Sequence, residues 1–291
     1  MNEKSLTPKS AKCIFDYVLI SVLAVNLIYS LFYGLIKDNA VILTVFSYVC
    51  TPVCIVLGVY AYAVKSKENV TSVLKAERVS VKVILATILI TFGMMFGLAE
   101  LNNLFVKFLG NFGYNPTPVT LPEKNLLNVT LVIIFICFVP ALFEEFLMRG
   151  LIVNGLSKGG KWFAILISAT LFSIFHMSPQ QTIYQFLVGA LYALIVVSGG
   201  NFYVTFVSHF VNNLFIVLNE YFFKITFTLE LEIILTVLGL ICLALGVFLL
   251  LFKSEKTEKT TEILNEKKEF FKGFPIGVAI CLIFWIVNLI G

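Results

Sequence analysis

The sequence predicts an all-α fold: a polytopic transmembrane helical bundle of about eight to nine spans around a polar intramembrane cavity. Hydrophobic residues make up 59% and charged residues 13% of the 291 residues, whereas an ordinary soluble domain has roughly 45–50% and 25%. The mean hydropathy of +0.97 is correspondingly high. The charged residues fall mostly in short gaps between apolar runs that are long enough to cross a bilayer. These observations exclude a soluble protein of this size.

Nine apolar stretches are predicted as membrane spans because each is close to the length of about 20 residues that a spanning helix needs. They lie at 14–36, 41–64, 83–106, 127–156, 161–177, 180–198, 201–222, 230–252 and 274–290. The first follows Lys4, Lys9 and Lys12, which resemble the charged part of a signal peptide. Its apolar run is too long for a signal peptide and has no small-residue cleavage pattern. We therefore expect it to be retained as a span.

The spans and gaps divide the chain into four regions. They are an N-terminal two-span region with a cytoplasmic loop at 1–82, a membrane core at 83–252, a polar Lys/Glu linker at 253–273 and a C-terminal span at 274–291. Glycines and prolines at 107–126 indicate an external loop within the core. For 253–273, the alternatives to a solvated linker are an exposed helix and a segment that lies on the lipid surface through Phe270 and Phe271. The final span is predicted to be a simple addition to the bundle.

The basic residues predict the orientation of the chain. Most of the 21 basic residues fall in gaps on the side of the N-terminus, and Lys37, Lys107, Lys124 and Lys224 fall on the other side. Cytoplasmic loops carry an excess of Lys and Arg. We therefore expect a multi-pass protein of the cell membrane, with the N-terminus in the cytoplasm and the C-terminus outside.

The net charge and the cysteines argue against two kinds of site. The formal net charge of +4 is small and dispersed along the chain, so we expect the lipid bilayer as a partner and no nucleic acid. The six cysteines form neither a CxxC pair nor a Cys/His cluster with metal-ligand spacing. We expect them to be buried apolar residues, and we expect no organic cofactor.

Ionisable side chains well inside a membrane are costly and usually mark function or pairing. In the predicted spans these residues are Glu144, Glu145, Arg149, His176 and His209. They are therefore the candidates for a functional site.

Four other acidic residues are weaker candidates. Asp16, Glu220 and Glu232 lie near the ends of spans, where water or lipid headgroups reach them. Glu100 lies deeper, but no motif surrounds it. We set these four residues aside.

Glu144, Glu145 and Arg149 lie within about one and a half helical turns. Glu145 and Arg149 are four residues apart and share a helix face, where an ion pair offsets part of the cost of desolvation. Glu144 is turned by about 100° from Glu145, so it lacks a full charge partner and is a candidate general base. Pro140, one turn earlier, is expected to kink the helix and to open space beside the carboxylates.

The chain has two histidines, and both lie in predicted spans. His209 and Asn213 are four residues apart and share one helix face. At 1.5 Å per residue, Glu144 and His176 lie at similar depths of about 20 and 22 Å from the cytoplasmic ends of their helices. His209 lies only about 12 Å deep. Its helix must be tilted or recessed, or must start elsewhere, for His209 to join the other two.

Three motifs follow one another along the chain: Glu-Glu-x-x-x-Arg at 144–149, Phe-x-x-x-His at 172–176 and His-x-x-x-Asn at 209–213. Together they resemble the CPBP family of membrane-embedded proteases. This family includes the type II CAAX prenyl endopeptidases and the bacterial Abi or bacteriocin self-immunity proteins. The resemblance covers roughly residues 85–250 and leaves the first two spans and the last span outside.

The resemblance implies that the polar cavity is catalytic and that a water held there hydrolyses a peptide bond within or at the edge of the membrane. It also implies roles for the side chains of the motifs. These are Glu144 as the general base, His176 as a holder of the water, His209 and Asn213 as donors to the oxyanion, and Glu145 and Arg149 as supporting residues. A second interpretation makes Glu144, His176 and His209 the ligands of a catalytic zinc ion, although the chain has no HExxH motif.

Two other classes of function stay open. Intramembrane acids and histidines also form proton or cation paths in transporters, which would show ion flux and no peptide cleavage. A non-enzymatic immunity or scaffold protein would keep full activity as Glu144→Ala. For a protease, the expected substrate is a peptide or a membrane-associated protein. Frequent Phe, Ile, Asn and Lys are typical of a low-GC bacterial chain, and this favours peptide maturation or bacteriocin self-immunity over processing of prenylated proteins.

Overall fold

The computed structural model describes residues 6–36, 40–74, 77–116, 121–223, 228–252, 260–273 and 275–290. These residues form helices and no strands, so the predicted all-α class is confirmed. The helices are α1 (Pro8–Ile36), α2 (Ala40–Ser66), α3 (Val81–Gly97), α4 (Ala99–Gly110), α5 (Leu126–Gly159), α6 (Lys161–Phe175), α7 (Thr182–Val197), α8 (Phe202–Leu218), α9 (Leu229–Leu251), α10 (Thr260–Phe271) and α11 (Ile276–Ile290).

Seven helical segments of the described residues are long and apolar enough to cross a membrane, and α3 with α4 is one of them. An eighth is added if α10 and α11, which meet at a bend of 56°, are counted as one span. The predicted span at 161–177 corresponds to α6. With 15 residues, α6 is about 22 Å long, less than the hydrocarbon core of about 30 Å. The polytopic bundle is confirmed, and the number of spans reaches the predicted eight to nine only if the bent pair counts as one.

The helices run between two ends of the bundle. The N-terminal end carries residues 6–7 and the connections that follow α2, α5 and α7, and the loop end carries the connections that follow α4 and α6. At the N-terminal end, Tyr203 Oη donates to the carbonyl oxygen of Leu74 at 2.8 Å. At the loop end, Tyr221 Oη donates to the carbonyl oxygen of Pro122 at 2.9 Å. At each end, a tyrosine hydroxyl of a helical segment thus bonds the backbone of a connection.

Glycines bring α3 and α9 into close contact. A Cβ added at Gly239 of α9 would lie 2.6 Å from the backbone nitrogen of Gly97 on α3. Small residues allow helix backbones to approach in this way within a membrane. Both helices belong to the main core, whose buried side chains include Ile90 of α3, Leu250 of α9 and Tyr192 of α7.

Helix α5 changes its winding around the Glu-Glu-x-x-x-Arg motif. Two π-helical segments, Ile133–Phe138 and Phe146–Val153, flank the α-helical segment Val139–Glu145. Pro140 lies in the first turn of that segment. Helix α5 thus has wider, π-helical turns on both sides of the segment that contains Pro140 and Glu144. Such turns within helices are frequent at functional sites.

The hairpin of α6 and α7 turns at the loop end, where Tyr114 Oη, in the connection that follows α4, donates to Gln180 Oε1 at 3.4 Å. Its turn also contains Met177 with a φ of 50°, and α11 holds that turn. Asn288 Nδ2 donates to the carbonyl oxygen of Met177, and Trp285 Nε1 donates to Thr182 Oγ1, both at 2.8 Å. The C-terminal span, expected as a simple addition, therefore supports the turn of this hairpin.

Residues 260–271, predicted as part of a solvated linker, form α10. Phe270 is buried, and its ring packs edge-on against Phe163 with 5.7 Å between centroids. Phe270 thus packs against the protein, whereas one alternative for this segment placed it on the lipid surface. Residues 253–259 of the predicted linker lie outside the described residues.

Candidate active site

A cavity of about 560 Å³ lies between α5, the α6–α7 hairpin and α8. The four residues predicted to be catalytic, Glu144, His176, His209 and Asn213, all line it. The other polar lining residues are Thr51, Asn102, Gln181, Tyr184, Gln185, Asn212 and Glu220. The structure therefore brings together side chains from three motifs that are distant in the sequence.

Glu144 faces the cavity without a partner. Its Oε2 atom is buried and accepts no hydrogen bond from a described residue. His176 Nε2 lies 3.8 Å from this oxygen, which is too far for a direct hydrogen bond. His176 Nδ1 lies 2.8 Å from the carbonyl oxygen of Phe172. Because a carbonyl only accepts, Nδ1 carries the proton, and Nε2 is an acceptor in the neutral ring. Two acceptors thus face each other across a short gap.

Glu145 is engaged through one oxygen only, and its Oε2 atom, like that of Glu144, accepts no hydrogen bond from a described residue. Its Oε1 atom accepts from Arg149 Nη1 at 2.9 Å and lies 3.1 Å from His209 Nδ1. The guanidinium of Arg149, which is 1% exposed, also lies 4.3 Å from the centre of the Phe172 ring. The expected ion pair between Glu145 and Arg149 is therefore present. It also orients His209, a contact that the sequence did not predict.

His209 reaches the site although its depth in the sequence argued against this. Asn201, just before α8, donates through Nδ2 to the carbonyl oxygen of Glu77 at 3.0 Å, and Tyr203 bonds Leu74 in the same connection. The beginning of α8 thus lies beneath the connection that follows α2. A recessed start was one of the three ways in which His209 could join Glu144 and His176.

Asn213 lies one turn beyond His209 on α8, and its neighbour Asn212 is a cavity residue that the sequence analysis missed. Tyr184 Oη donates to Asn212 Oδ1 at 3.1 Å. The amide oxygen of Asn212 is thereby engaged, and its amide nitrogen donates to no described residue. Polar residues at 181, 184 and 185 in an otherwise apolar stretch were the signal that could have found this wall.

The acidic residues that were set aside have different positions. Glu220 lines the cavity at its mouth. Asp16 Oδ1 accepts from the backbone N–H of Gly277 at 2.7 Å and so caps the start of α11. Glu100 accepts from Asn103 Nδ2 at 3.2 Å, and neither Glu100 nor Glu232 lines the cavity. Setting Glu220 aside removed a residue that belongs to the cavity.

The zinc interpretation requires Glu144, His176 and His209 to converge on one point. In the part of the chain that the structure describes, no group of three or more His, Cys, Asp or Glu side chains is placed to hold a metal ion. His209 Nδ1 is directed to Glu145, and Glu144 lies nearest to His176. The arrangement does not fit a three-ligand metal centre, and we assign no step to a metal.

Fold and site together define a multi-pass helical membrane protein with a polar cavity inside the bundle. Residues 126–215 match the family model described as type II CAAX prenyl endopeptidase Rce1-like. The match includes all three motifs and confirms the resemblance to the CPBP family, over a shorter stretch than the predicted 85–250. It supports a function of the CAAX-type intramembrane protease kind. Comparisons with curated proteins and with solved structures find no match.

Proposed function

We propose that this protein is a membrane-embedded endopeptidase that hydrolyses a peptide bond with a water activated by Glu144. The observation that carries the proposal is the gap of 3.8 Å between Glu144 Oε2 and His176 Nε2 inside the cavity. A water about 2.8 Å from each atom would donate one hydrogen to each acceptor. Its lone pairs would then point away from both atoms, toward a substrate carbonyl.

In the proposed reaction, the water oxygen attacks the carbonyl carbon, and Glu144 takes one proton from the water. The tetrahedral intermediate collapses when the C–N bond breaks, and the leaving nitrogen takes the proton from Glu144. The products are a carboxylic acid and an amine. His176 keeps the water in line because its Nδ1 is tied to the carbonyl of Phe172.

The negative oxygen of the intermediate needs hydrogen-bond donors aimed at it. His209 and Asn213 lie one turn apart on α8 and both line the cavity. His209 Nδ1 lies 3.1 Å from Glu145 Oε1, and Nε2 is the atom proposed to face the oxyanion. Glu145 thereby orients the ring, as the aspartate does in a serine protease triad. The amide of Asn212 is a further donor that faces the same space.

For the substrate we propose a peptide or a membrane-associated protein, in peptide maturation or bacteriocin self-immunity. Frequent Phe, Ile, Asn and Lys in the chain favour a bacterial source. The cavity suits an extended peptide because amide side chains of Gln181, Gln185 and Asn212 line its wall, and such groups pair with backbone N–H and C=O groups.

The test is cleavage of a quenched-fluorescence peptide library by the detergent-purified protein. Wild type is compared with Glu144→Gln, which keeps the size of the side chain and removes the base. Glu100→Gln is the matched control because Glu100 lies outside the cavity. We expect cleavage by wild type and Glu100→Gln and a loss of about 100-fold or more in Glu144→Gln. Undiminished cleavage by Glu144→Ala and His176→Ala would contradict the proposal, and so would ion flux in liposomes without any cleavage.

A further inference from the structure

Two carboxyl side chains line the cavity at different depths. The side chain of Glu144 is 12% exposed whereas Glu220 is exposed, so Glu220 lies nearer the mouth, and neither lysine nor arginine occurs among the described residues of the lining. Glu220 is exposed, and it forms no hydrogen bond or ion pair with another described residue. The nearby Lys124 places its ammonium group 4.1 Å from the centre of the Phe222 ring and is not part of the lining. The carboxylate of Glu220 is therefore available to a substrate.

Glu220 stands at a defined distance from the reacting groups. It follows Asn213 by seven residues on α8 and its π-helical continuation Asn219–Phe223, a rise of about 10 Å. An extended peptide advances about 3.3 Å per residue, so about three residues cover this distance. The cationic side chain of the peptide itself extends toward the mouth and replaces about one residue of this distance, so two residues are then enough.

We propose that Glu220 makes the cavity selective for peptides that carry a lysine or arginine two or three residues from the cleaved bond. The inference rests on the proposed peptidase function and names its substrate class. The apolar walls of a cleft concentrate the field of a carboxylate at its mouth. The carboxylate of Glu220 therefore attracts a cationic side chain of the substrate and repels an acidic one.

The experiment measures binding first, in the Glu144→Gln background. This background prevents cleavage and removes the other carboxylate of the lining. Fluorescent nine-residue peptides carry a single lysine, moved along the sequence, and each is compared with its glutamine counterpart. We expect the best lysine peptide to bind about fivefold more tightly than its counterpart, and we expect high salt to weaken this preference.

Two further substitutions assign the preference to one residue. In the Glu144→Gln background, the additional substitution Glu220→Gln should abolish the preference for lysine peptides. Adding Glu230→Gln should keep it, because Glu230 is an exposed acid in the first turn of α9 and does not line the cavity. Equal binding of lysine and glutamine peptides, or a preference that survives Glu220→Gln, would overturn the inference.

Cleavage of the same peptides by the wild-type chain separates this inference from the proposed function. Glu144-dependent cleavage with no lysine preference overturns the selectivity alone. A lysine preference in binding without any cleavage overturns the peptidase alone.

Discussion

Two adjacent glutamates of one helix have opposite surroundings. Glu145 is fully buried, and one of its oxygens is shared by Arg149 and His209. Both glutamates keep one buried oxygen without a hydrogen-bond partner among the described residues, but Glu144 lines the cavity and Glu145 is not among the described residues of its lining. The difference follows from the turn of about 100° between neighbouring positions, since one arginine serves one helix face. Glu145 is suited to a supporting role and Glu144 to chemistry.

The supporting role predicts a loss of stability when the ion pair is broken. Arg149→Ala leaves the carboxylate of Glu145 buried without its main charge partner, so we expect the free energy of unfolding to fall by about 3–5 kcal/mol. Chemical denaturation in detergent measures this change. Glu145→Gln combined with Arg149→Met should recover part of the loss because neither charge is then buried. An unfolding curve of Arg149→Ala that overlays the wild-type curve would refute the assignment.

At the scale of the elements, the turn of the α6–α7 hairpin positions one of the candidate catalytic side chains. Because α6 ends at Phe175, His176 lies in this turn, where it lines the cavity. Two side chains of α11 bond this turn at Met177 and at Thr182. Helix α11 lies outside the segment that matches the family, so it is an element of this chain that positions a residue of the shared motif.

Removing those two bonds should therefore impair the chemical step more than substrate binding. For Trp285→Phe combined with Asn288→Ala we expect kcat to fall about tenfold while KM changes little, because the turn that carries His176 loses its support. Steady-state kinetics on the best library peptide measures both constants. Trp162→Phe is the matched control, since Trp162 is 59% exposed. A rise in KM at unchanged kcat would contradict the positioning role.

At the scale of the whole molecule, most of the basic residues and the cavity lie at opposite ends of the bundle. The lining includes α8 from His209 onward, Glu220 beyond it, and Gln181 in the turn after α6, which places the cavity toward the loop end. The connections that are rich in Lys and Arg belong to the N-terminal end. Under the positive-inside rule the N-terminal end is cytoplasmic. The cavity is then expected to open on the outer side of the membrane.

Labelling of intact cells with a membrane-impermeant maleimide tests this orientation. In a variant whose six cysteines are replaced, Glu220→Cys should be labelled without lysis. Arg78→Cys, an exposed position at the N-terminal end, should be labelled only after lysis. Labelling in the reverse order would show that the cavity opens to the cytoplasm.

The sequence by itself determined the helical membrane class, most of the spans and the ion pair of Glu145 with Arg149. It also singled out four of the residues that line the cavity: Glu144, His176, His209 and Asn213. These features follow from hydropathy and from spacing along one helix, which are local properties of the chain. The catalytic roles of the four residues stay predictions until variants are assayed.

Only the tertiary structure decided which side chains meet across helices. The bond of His209 to Glu145 joins residues 64 positions apart, and simple depth counting from the sequence argued against it because α8 starts beneath another connection. Tyr184 meets Asn212, α11 meets the turn after His176, and Glu220 reaches the mouth of the cavity for the same kind of reason. Each depends on how far a helix is recessed or shortened relative to its neighbours, and packing between helices sets that distance, not the periodicity within one helix.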